Sequence, residues 1–285
     1  MMIEFAKMHG LGNDFMVIDL VTQTASVHAD LVRAWADRHT GVGFDQLLLI
    51  EPPTEPEADF RYRIFNADGT EVAQCGNGAR CAAVYIAHRR LSPKPDLVLQ
   101  TNTGPITTHL LRDDQVEVGM GEPRLTAAEI PFDAQADGGA VAVGDDVLQY
   151  EVDACGAQRR FLPVSMGNPH AVLFVDSVAE APVAEVGAAL VAHPVFPEGA
   201  NIGFCEVVDR GFVRLRVFER GVGETRACGS GACAAVVAAQ LLDKVSGRVK
   251  VSLPGGKVRI AWQGPGSEVR MTGPAALVYE GRIQG

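Results

Sequence analysis

The chain repeats itself. Residues Arg61 to Ala83, RYRIFNADGTEVAQCGNGARCAA, align without a gap to Arg214 to Val236, RLRVFERGVGETRACGSGACAAV, and nine of the 23 positions are identical. Among the identities are Cys75/Cys228, Gly76/Gly229 and Gly78/Gly231. Each cysteine follows a strand-like run and opens a Gly-Ala-rich helical run. Self-similarity of this kind predicts a protein built from two copies of one module. Modules that face each other would bring two thiols to one cleft. That arrangement suits adding a proton to one side of a carbon while removing it from the other.

The repeat reaches beyond the cysteines. Gly12-Asn13-Asp14-Phe15 parallels Gly167-Asn168-Pro169-His170, and Asp45-Gln46-Leu47 parallels Ala200-Asn201-Ile202, both at an offset of 155 against 153 at the cysteines. The expected division is an N-terminal module over 1–120 and a C-terminal module over 121–272, with the segment 273–285 returning to the first. Glu122–Gly144, rich in Pro, Gly, Ala and Asp, reads as a linker and variable loop.

Short alternating runs predict strands at Phe15–Ile18, Leu47–Ile50, Arg61–Phe65, Leu97–Gln100, Ile106–Leu110 and Val116–Gly119. The second half repeats the style at Phe161–Ser165, Ala171–Val175, Phe204–Val208, Phe212–Phe218, Arg248–Leu253, Val258–Trp262 and Glu268–Met271. Leu31–Arg38 and Val183–Ala192 fit amphipathic helices. Asn77–Arg90 and Ser230–Lys244 are apolar nearly all round, and such helices are enclosed rather than laid on a surface. Basic residues near their ends suit the helix dipole, and Pro93 and Gly247 are the expected stops. The fold class predicted is α/β: two pseudo-symmetric modules, each a curved β-sheet or barrel wrapped around a central α-helix.

A formal charge of −10 argues against a nucleic-acid surface. No apolar run approaches the ~20 residues of a membrane span, and the opening MMIEFAKMHGLGNDF lacks the pattern of a secretory signal. A reducing cytoplasm is the expected setting, and the six cysteines (Cys75, Cys81, Cys155, Cys205, Cys228, Cys233) are read as thiols. Cys81, Cys155, Cys205 and Cys233 are read as small buried hydrophobes.

Cys75 and Cys228 are read differently. Each stands at a helix entrance followed by Gly-Asn-Gly or Gly-Ser-Gly, where exposed backbone N–H groups and the helix dipole attract negative charge. That placement is expected to lower the thiol pKa from ~8.5 toward neutrality and favour thiolate, the basic form. The same N–H groups can hold a carboxylate, which suits attack on the α-hydrogen of an amino acid. Two other uses of these residues fit less well. GSGACA resembles a dinucleotide fingerprint, but its glycines do not directly follow a strand. The spacings Cys75/Cys81 and Cys228/Cys233 are not those of paired zinc knuckles.

Amides recur at matched positions beside apolar runs: Asn13, Gln46, Asn66, Asn168 and Asn201. The repeats also differ, for Asn66 becomes Glu219, followed by Arg220. An unpaired Glu-Arg in a symmetric scaffold predicts an asymmetric ligand site, with Arg220 able to clamp a second carboxylate.

The strings KMHGLGNDF, AQCGNGARC, MGNPHAV, ERGVGETRACGSGACA and TGPAALVYEG resemble the diaminopimelate epimerase family along nearly the whole chain. The resemblance implies the two-module fold of that family and interconversion of LL- and meso-2,6-diaminopimelate, in lysine and peptidoglycan precursor synthesis. It implies no cofactor and no metal, a small-molecule substrate and a homodimer in which Tyr279 makes a contact. It makes Cys75 and Cys228 the acid/base pair, usually with Cys75 as donor and Cys228 as acceptor. Substrate contacts carried over by position are Asn13, Gln46, Asn66, Gly76, Asn77, Asn168, Asn201, Glu219, Arg220, Gly229 and Ser230. His170 and Glu219 are implied to tune the thiols. An amino-acid racemase acting on a substrate such as proline is the alternative within the fold, and a thiol–disulfide or metal-binding protein is the alternative outside it.

Overall fold

Runs such as Phe60–Asn66 alternate inward apolar and outward polar side chains, and they form the strands of a mixed α/β protein. The computed structural model describes residues 1–72, 75–136, 139, 141–143 and 149–285. Residue contacts divide the chain into two units, Met1–Gly119 with Thr272–Gly285, and Met120–Met271.

The first unit contains β1 (Met2–Gly10), β2 (Asn13–Asp19), α1 (Ala29–Ala36), β3 (Gln46–Glu51), β4 (Phe60–Asn66), β5 (Glu71–Val72), α2 (Gly76–His88), β6 (Asp96–Thr101), β7 (Gly104–Leu110) and β8 (Gln115–Gly119). The second contains β9 (Val141–Val143), β10 (Gln149–Ala154), β11 (Ala157–Ser165), β12 (Pro169–Phe174), α3 (Val183–Val191), β13 (Asn201–Asp209), β14 (Phe212–Glu219), β15 (Gly223–Thr225), α4 (Gly229–Leu241), β16 (Arg248–Leu253) and β17 (Gly256–Ala261). β18 (Arg270–Pro274) spans the boundary, and β19 (Ala276–Gln284) belongs to the first unit.

Pairing repeats strand for strand. In the first unit β1–β2 is antiparallel, β2–β3 parallel, β3–β4 and β4–β5 antiparallel, β4–β6 parallel and β6–β7 antiparallel. In the second, β11–β12, β12–β13, β13–β14, β14–β15, β14–β16 and β16–β17 follow the same sequence of directions. Each parallel pair needs a long crossover, and a helix supplies it: α1 and α2 in one unit, α3 and α4 in the other. The expectation of a duplicated module thus holds at the level of hydrogen-bond pattern.

The crossover helices α2 and α4 are enclosed. Every residue from Asn77 to Ile86 is buried, as is every residue from Gly231 to Ala239. Helix α2 packs on β1, β2, β3, β4, β7, β8 and β19, and α4 on β11, β12, β13, β14 and β17. Small side chains let the strands close on the helix axis. The closest approach is at Gly78, where an added Cβ would lie 2.2 Å from the hydroxyl of Tyr62.

Four expectations need correction. The enclosed helices, expected over Asn77–Arg90 and Ser230–Lys244, end at His88 and Leu241, well before Pro93 and Gly247 act as stops. Each ends in a matched turn with Arg90 or Asp243 in the left-handed region (φ 56° and 52°). There the N–H groups of Leu91 and Lys244 reach back to the carbonyls of Ile86 and Ala239. The linker is not wholly loop, because Ile130 and Phe132 are buried in the second unit's core with Tyr150, Phe161 and Phe196. Other linker residues (137, 138, 140 and 144) lie outside the described ones. Cys155 is exposed at the β10–β11 turn, not buried. β1 and β10 were not expected as strands. The middle of β1, Phe5 to Lys7, is buried on both faces and so lacks alternation, and its pairing comes partly from β19 at the far end of the chain.

The tight seat of α2 gives a stability prediction. Gly78→Ala should destabilise the protein by about 1–3 kcal/mol in urea unfolding, the usual range for overpacking. Part of that loss should be recovered in the Tyr62→Phe background, which lacks the clashing oxygen. An unchanged unfolding midpoint for Gly78→Ala would contradict this packing.

Candidate active site

The two cysteines cap the two enclosed helices. Cys75 is the N-cap of α2 (φ −148°, ψ 111°) and its Sγ accepts the N–H of Gly78 at 3.4 Å. Cys228 is the N-cap of α4 (φ −120°, ψ 108°) and its Sγ accepts the N–H of Gly231 at 3.4 Å. Each sulfur therefore takes the position usually filled by a Ser or Asp oxygen, satisfying one donor of the helix start. Gly76-Asn77 and Gly229-Ser230 form the first residues of the two helices, where backbone N–H groups have no intrahelical acceptor.

Around Cys75 the first unit gathers Asn13 and Asn77. Asn13 Oδ1 lies 3.9 Å from Cys75 Sγ and accepts from Asn77 Nδ2 at 3.3 Å. Gln46 and Asn66 sit directly opposite each other in the β3–β4 ladder, and Gln46 Nε2 donates to Asn66 Oδ1 at 3.0 Å. The starts of β2 and β3 and the end of β4 share one end of the sheet. Tyr62 Oη donates to the carbonyl of Cys75 at 3.3 Å.

Charged residues not singled out in the sequence underpin this end. Lys7 is buried and donates to Asp14 and to the Gly43 carbonyl. Arg38 pairs with both Asp14 (2.7 Å) and Asp45 (2.8 Å). Burial alone would push Asp14 up, but the hydrogen bonds from Arg38 and Lys7 win and hold its carboxyl far below the usual range. The available signal was the pair of acidic residues in Gly12-Asn13-Asp14 and Phe44-Asp45-Gln46. In Arg80, it was one basic residue inside an otherwise apolar helix.

Around Cys228 the partners differ. Ser230 Oγ is 3.7 Å from the sulfur, Asn168 Nδ2 donates to that hydroxyl at 3.4 Å, and His170 Nε2 lies 3.1 Å from Asn168 Oδ1. Asn201, beside His170 in the β12–β13 pair, accepts the backbone N–H of Arg220 at 3.0 Å. Arg220 Nη1 donates to the Glu198 carbonyl at 2.6 Å, which fixes one arm of the guanidinium. Glu219 receives a hydrogen bond from Thr225 Oγ1. Tyr279 stands apart on β19, 44% exposed, with its ring edge-on to Phe5.

The expectation of an acidic, exposed thiol fails at Cys228. The residue is buried, and burial, followed by the nearby Glu219 carboxylate, pushes its thiol well above the ordinary value. The Ser230 hydroxyl and the Gly231 N–H pull the other way and lose. Cys228 thus carries its proton at neutral pH. Cys81 and Cys205 are pushed up to about 12 by burial, as inert core thiols should be. Among the described residues, no group of three or more His, Cys, Asp or Glu side chains could hold a metal ion.

His170 is fully enclosed, and burial, helped by the positive charge of Arg220, lowers its pKa from 6.5 to about 3. The ring is therefore neutral and must carry its proton on Nε2 to donate to Asn168. An unfolded chain binds a proton here that the folded chain refuses. The stability linked to His170 is complete above pH ~6.5 and is lost as pH falls toward 3, at up to about 1.4 kcal/mol per pH unit. In urea unfolding between pH 6 and 4.5, His170→Gln should flatten the dependence on pH by close to one proton. A slope identical to the parent's would refute the neutral, buried ring.

The family model described as diaminopimelate epimerase matches residues 5–126 and 162–278. A diaminopimelate epimerase of Stutzerimonas stutzeri is 53% identical over 284 residues, covering 100% of each chain. The same-named protein of Azotobacter vinelandii is 54% identical over 284 residues, again covering 100% of both. Among solved structures, a hydroxyproline epimerase from Agrobacterium vitis shares the fold, with a TM-score of 0.69 at 16% identity, covering 99% of this chain and 92% of that one. A PhzF-family phenazine biosynthesis protein from Bacillus anthracis does so with a TM-score of 0.68 at 16% identity, over 100% and 99% of the two chains. The full-length identity and the family match together identify this chain as a member of the diaminopimelate epimerase family.

Proposed function

We propose that this protein interconverts LL- and meso-2,6-diaminopimelate by moving one α-proton between two faces of the carbon, with Cys75 serving one face and Cys228 the other. The observation that carries the reading is the matched pair of N-cap thiols. Two sulfurs in matched helix-entrance geometry, each 3.4 Å from an equivalent N–H, support the reading of one proton carrier per module.

In one direction a Cys75 thiolate takes the α-hydrogen as a proton, and the C–H electron pair passes into the adjacent carboxylate as an enolate-like carbanion. Backbone N–H groups at Gly76-Asn77 and Gly229-Ser230 bind that carboxylate and stabilise the growing charge. The Cys228 thiol delivers its proton to the opposite face and becomes the thiolate. The high proton affinity of Cys228 makes this the direction that starts from the protonated Cys228. The assignment of Cys228 as acceptor describes the complementary form, in which the two sulfurs have exchanged roles. No electrons leave the substrate, so the chemistry needs no redox cofactor.

Asn13, Gln46, Asn66, Asn168, Asn201, Glu219 and Arg220 hold the rest of the substrate in this reading. Arg220 meets the distal carboxylate with the part of its guanidinium not turned to Glu198. Two amino-acid ends account for so many amides better than proline would. His170 and Glu219 act on Cys228, His170 through Asn168 and Ser230. The product is a precursor for lysine and peptidoglycan, and a reducing cytoplasm suits two catalytic thiols. The exposed Val278 and Tyr279 on β19 support a homodimer through that strand.

The test is direct. Purified protein supplied with LL-diaminopimelate should bring it to a mixture in which the meso form predominates, because either of the two equivalent α-carbons of the LL form can be inverted while only one carbon of the meso form leads back, and should leave L-proline unchanged. Cys75→Ala and Cys228→Ala should each lose about 10²–10⁴-fold in turnover, the usual worth of one proton-transfer group, while still folding, with a loss of about 0.5–2 kcal/mol in stability from the missing helix cap. Near-normal turnover in either variant would defeat the two-base reading.

A further inference from the structure

Arg80 is a full cation buried on α2 among apolar residues. Its Nε donates to the Pro274 carbonyl at 3.2 Å, and its Nη2 donates to Asn77 Oδ1 at 3.0 Å. A guanidinium offers only donors, so it can face only the oxygen of that amide. The Nδ2 of Asn77 is thereby turned to Asn13, whose Oδ1 accepts it at 3.3 Å. The chain continues to Asp45, whose Oδ2 accepts from Asn13 Nδ2 at 3.0 Å and from the Asp14 N–H at 3.1 Å. A carboxylate only accepts, so it demands the NH₂ end of Asn13. The other Asp45 oxygen is held by Arg38 at 2.8 Å.

A cation at one end and an anion at the other therefore dictate the same orientation of both amides. We propose that Arg80 and Asp45 are positioning residues that lock Asn77 and Asn13 so that the Asn13 oxygen, and not its NH₂, faces the sulfur of Cys75. This deepens the epimerase reading and rests on it for its catalytic meaning. The orientation decides what the amide can do. An oxygen 3.9 Å from the sulfur favours the protonated thiol and can accept from a bound ammonium group. An NH₂ there would favour the thiolate and repel an ammonium. Asn13 thus holds the proton on Cys75 until a bound group takes the oxygen, while the Gly78 N–H favours the thiolate.

The second unit makes the contrast. The positions matching Arg80 and Asp45 are Cys233 and Ala200. There Asn168 is oriented by the neutral His170 and turns its Nδ2 toward the helix entrance. The charged clamp belongs to Cys75 alone. Other titratable groups at this end are Lys7 on β1 and Asp14 on β2, which pair with each other, Tyr62 on β4 and Cys81 on α2. Burial raises the latter two and keeps them neutral.

The test needs no substrate, so its outcome is separable from that of the activity assay. In the full chain, the rate at which iodoacetamide alkylates Cys75 is followed against pH by peptide mass mapping, for the parent, Asp45→Ala and Asp45→Asn. The Asp45 side chain is 44% exposed, so both variants should fold. Both lose the charge, but only Asn keeps an oxygen for Asn13. Asp45→Ala should move the alkylation midpoint down by about one pH unit, a roughly ten-fold faster reaction below the midpoint. Asp45→Asn should stay within about two-fold of the parent. Equal shifts in both variants would mean that charge alone matters and would overturn the proposal. So would an unmoved midpoint, or a rate raised equally at every pH, which is the signature of a loosened loop.

Discussion

Everything at the site depends on one interaction made twice, a backbone N–H at the third residue of a buried helix donating to a cysteine sulfur. A helix can be buried to its first turn only if the donors at its start find partners, and here one partner is the cysteine sulfur to which we assign the proton transfer. The enclosed, small-residue helix and its capping cysteine are therefore one structural solution. The strands close tightly because Gly78 leaves room for Tyr62, and that closeness fixes the helix entrance and its sulfur against the amides at the strand ends.

Duplication supplies this geometry in both units, but it does not supply equal chemistry. The first unit surrounds its thiol with charge: Lys7, Asp14, Arg38, Asp45 and the buried Arg80. The second replaces Asp14, Asp45 and Arg80 with Pro169, Ala200 and Cys233, and places a neutral histidine and the Glu219 carboxylate instead. Burial and Glu219 leave the proton on Cys228. A shared backbone thus carries two thiols in unlike surroundings, one beside amides held by charge pairs and the other beside a buried histidine and a carboxylate.

Much of this was legible from residues alone. Alternation located most central strands, and all-round apolarity marked α2 and α4 as enclosed. The repeated Cys-Gly-x-Gly identified the two caps. What escaped depends on distant parts of the chain. β1 has no alternation to read because both its faces are covered, one edge by β19. Ile130 and Phe132 sit in a Pro- and Gly-rich stretch but are claimed by the aromatic core of the second unit. The dipole argument for an acidic thiol was sound locally and lost at Cys228 to burial and to Glu219, nine residues away in sequence. Arg80 was hidden in a helix whose apolar character was the stronger signal.

The central claim is that two sulfurs serve opposite faces of one carbon. The isotope carried by the product tests it most directly. LL-diaminopimelate is incubated with the protein in heavy water, and substrate and product are separated at the first few per cent of conversion. Two bases predict meso product bearing one solvent deuteron at the inverted carbon, with recovered substrate still carrying protium. Product that retains the original protium would mean that a single group removes and returns the same proton, and would contradict the account.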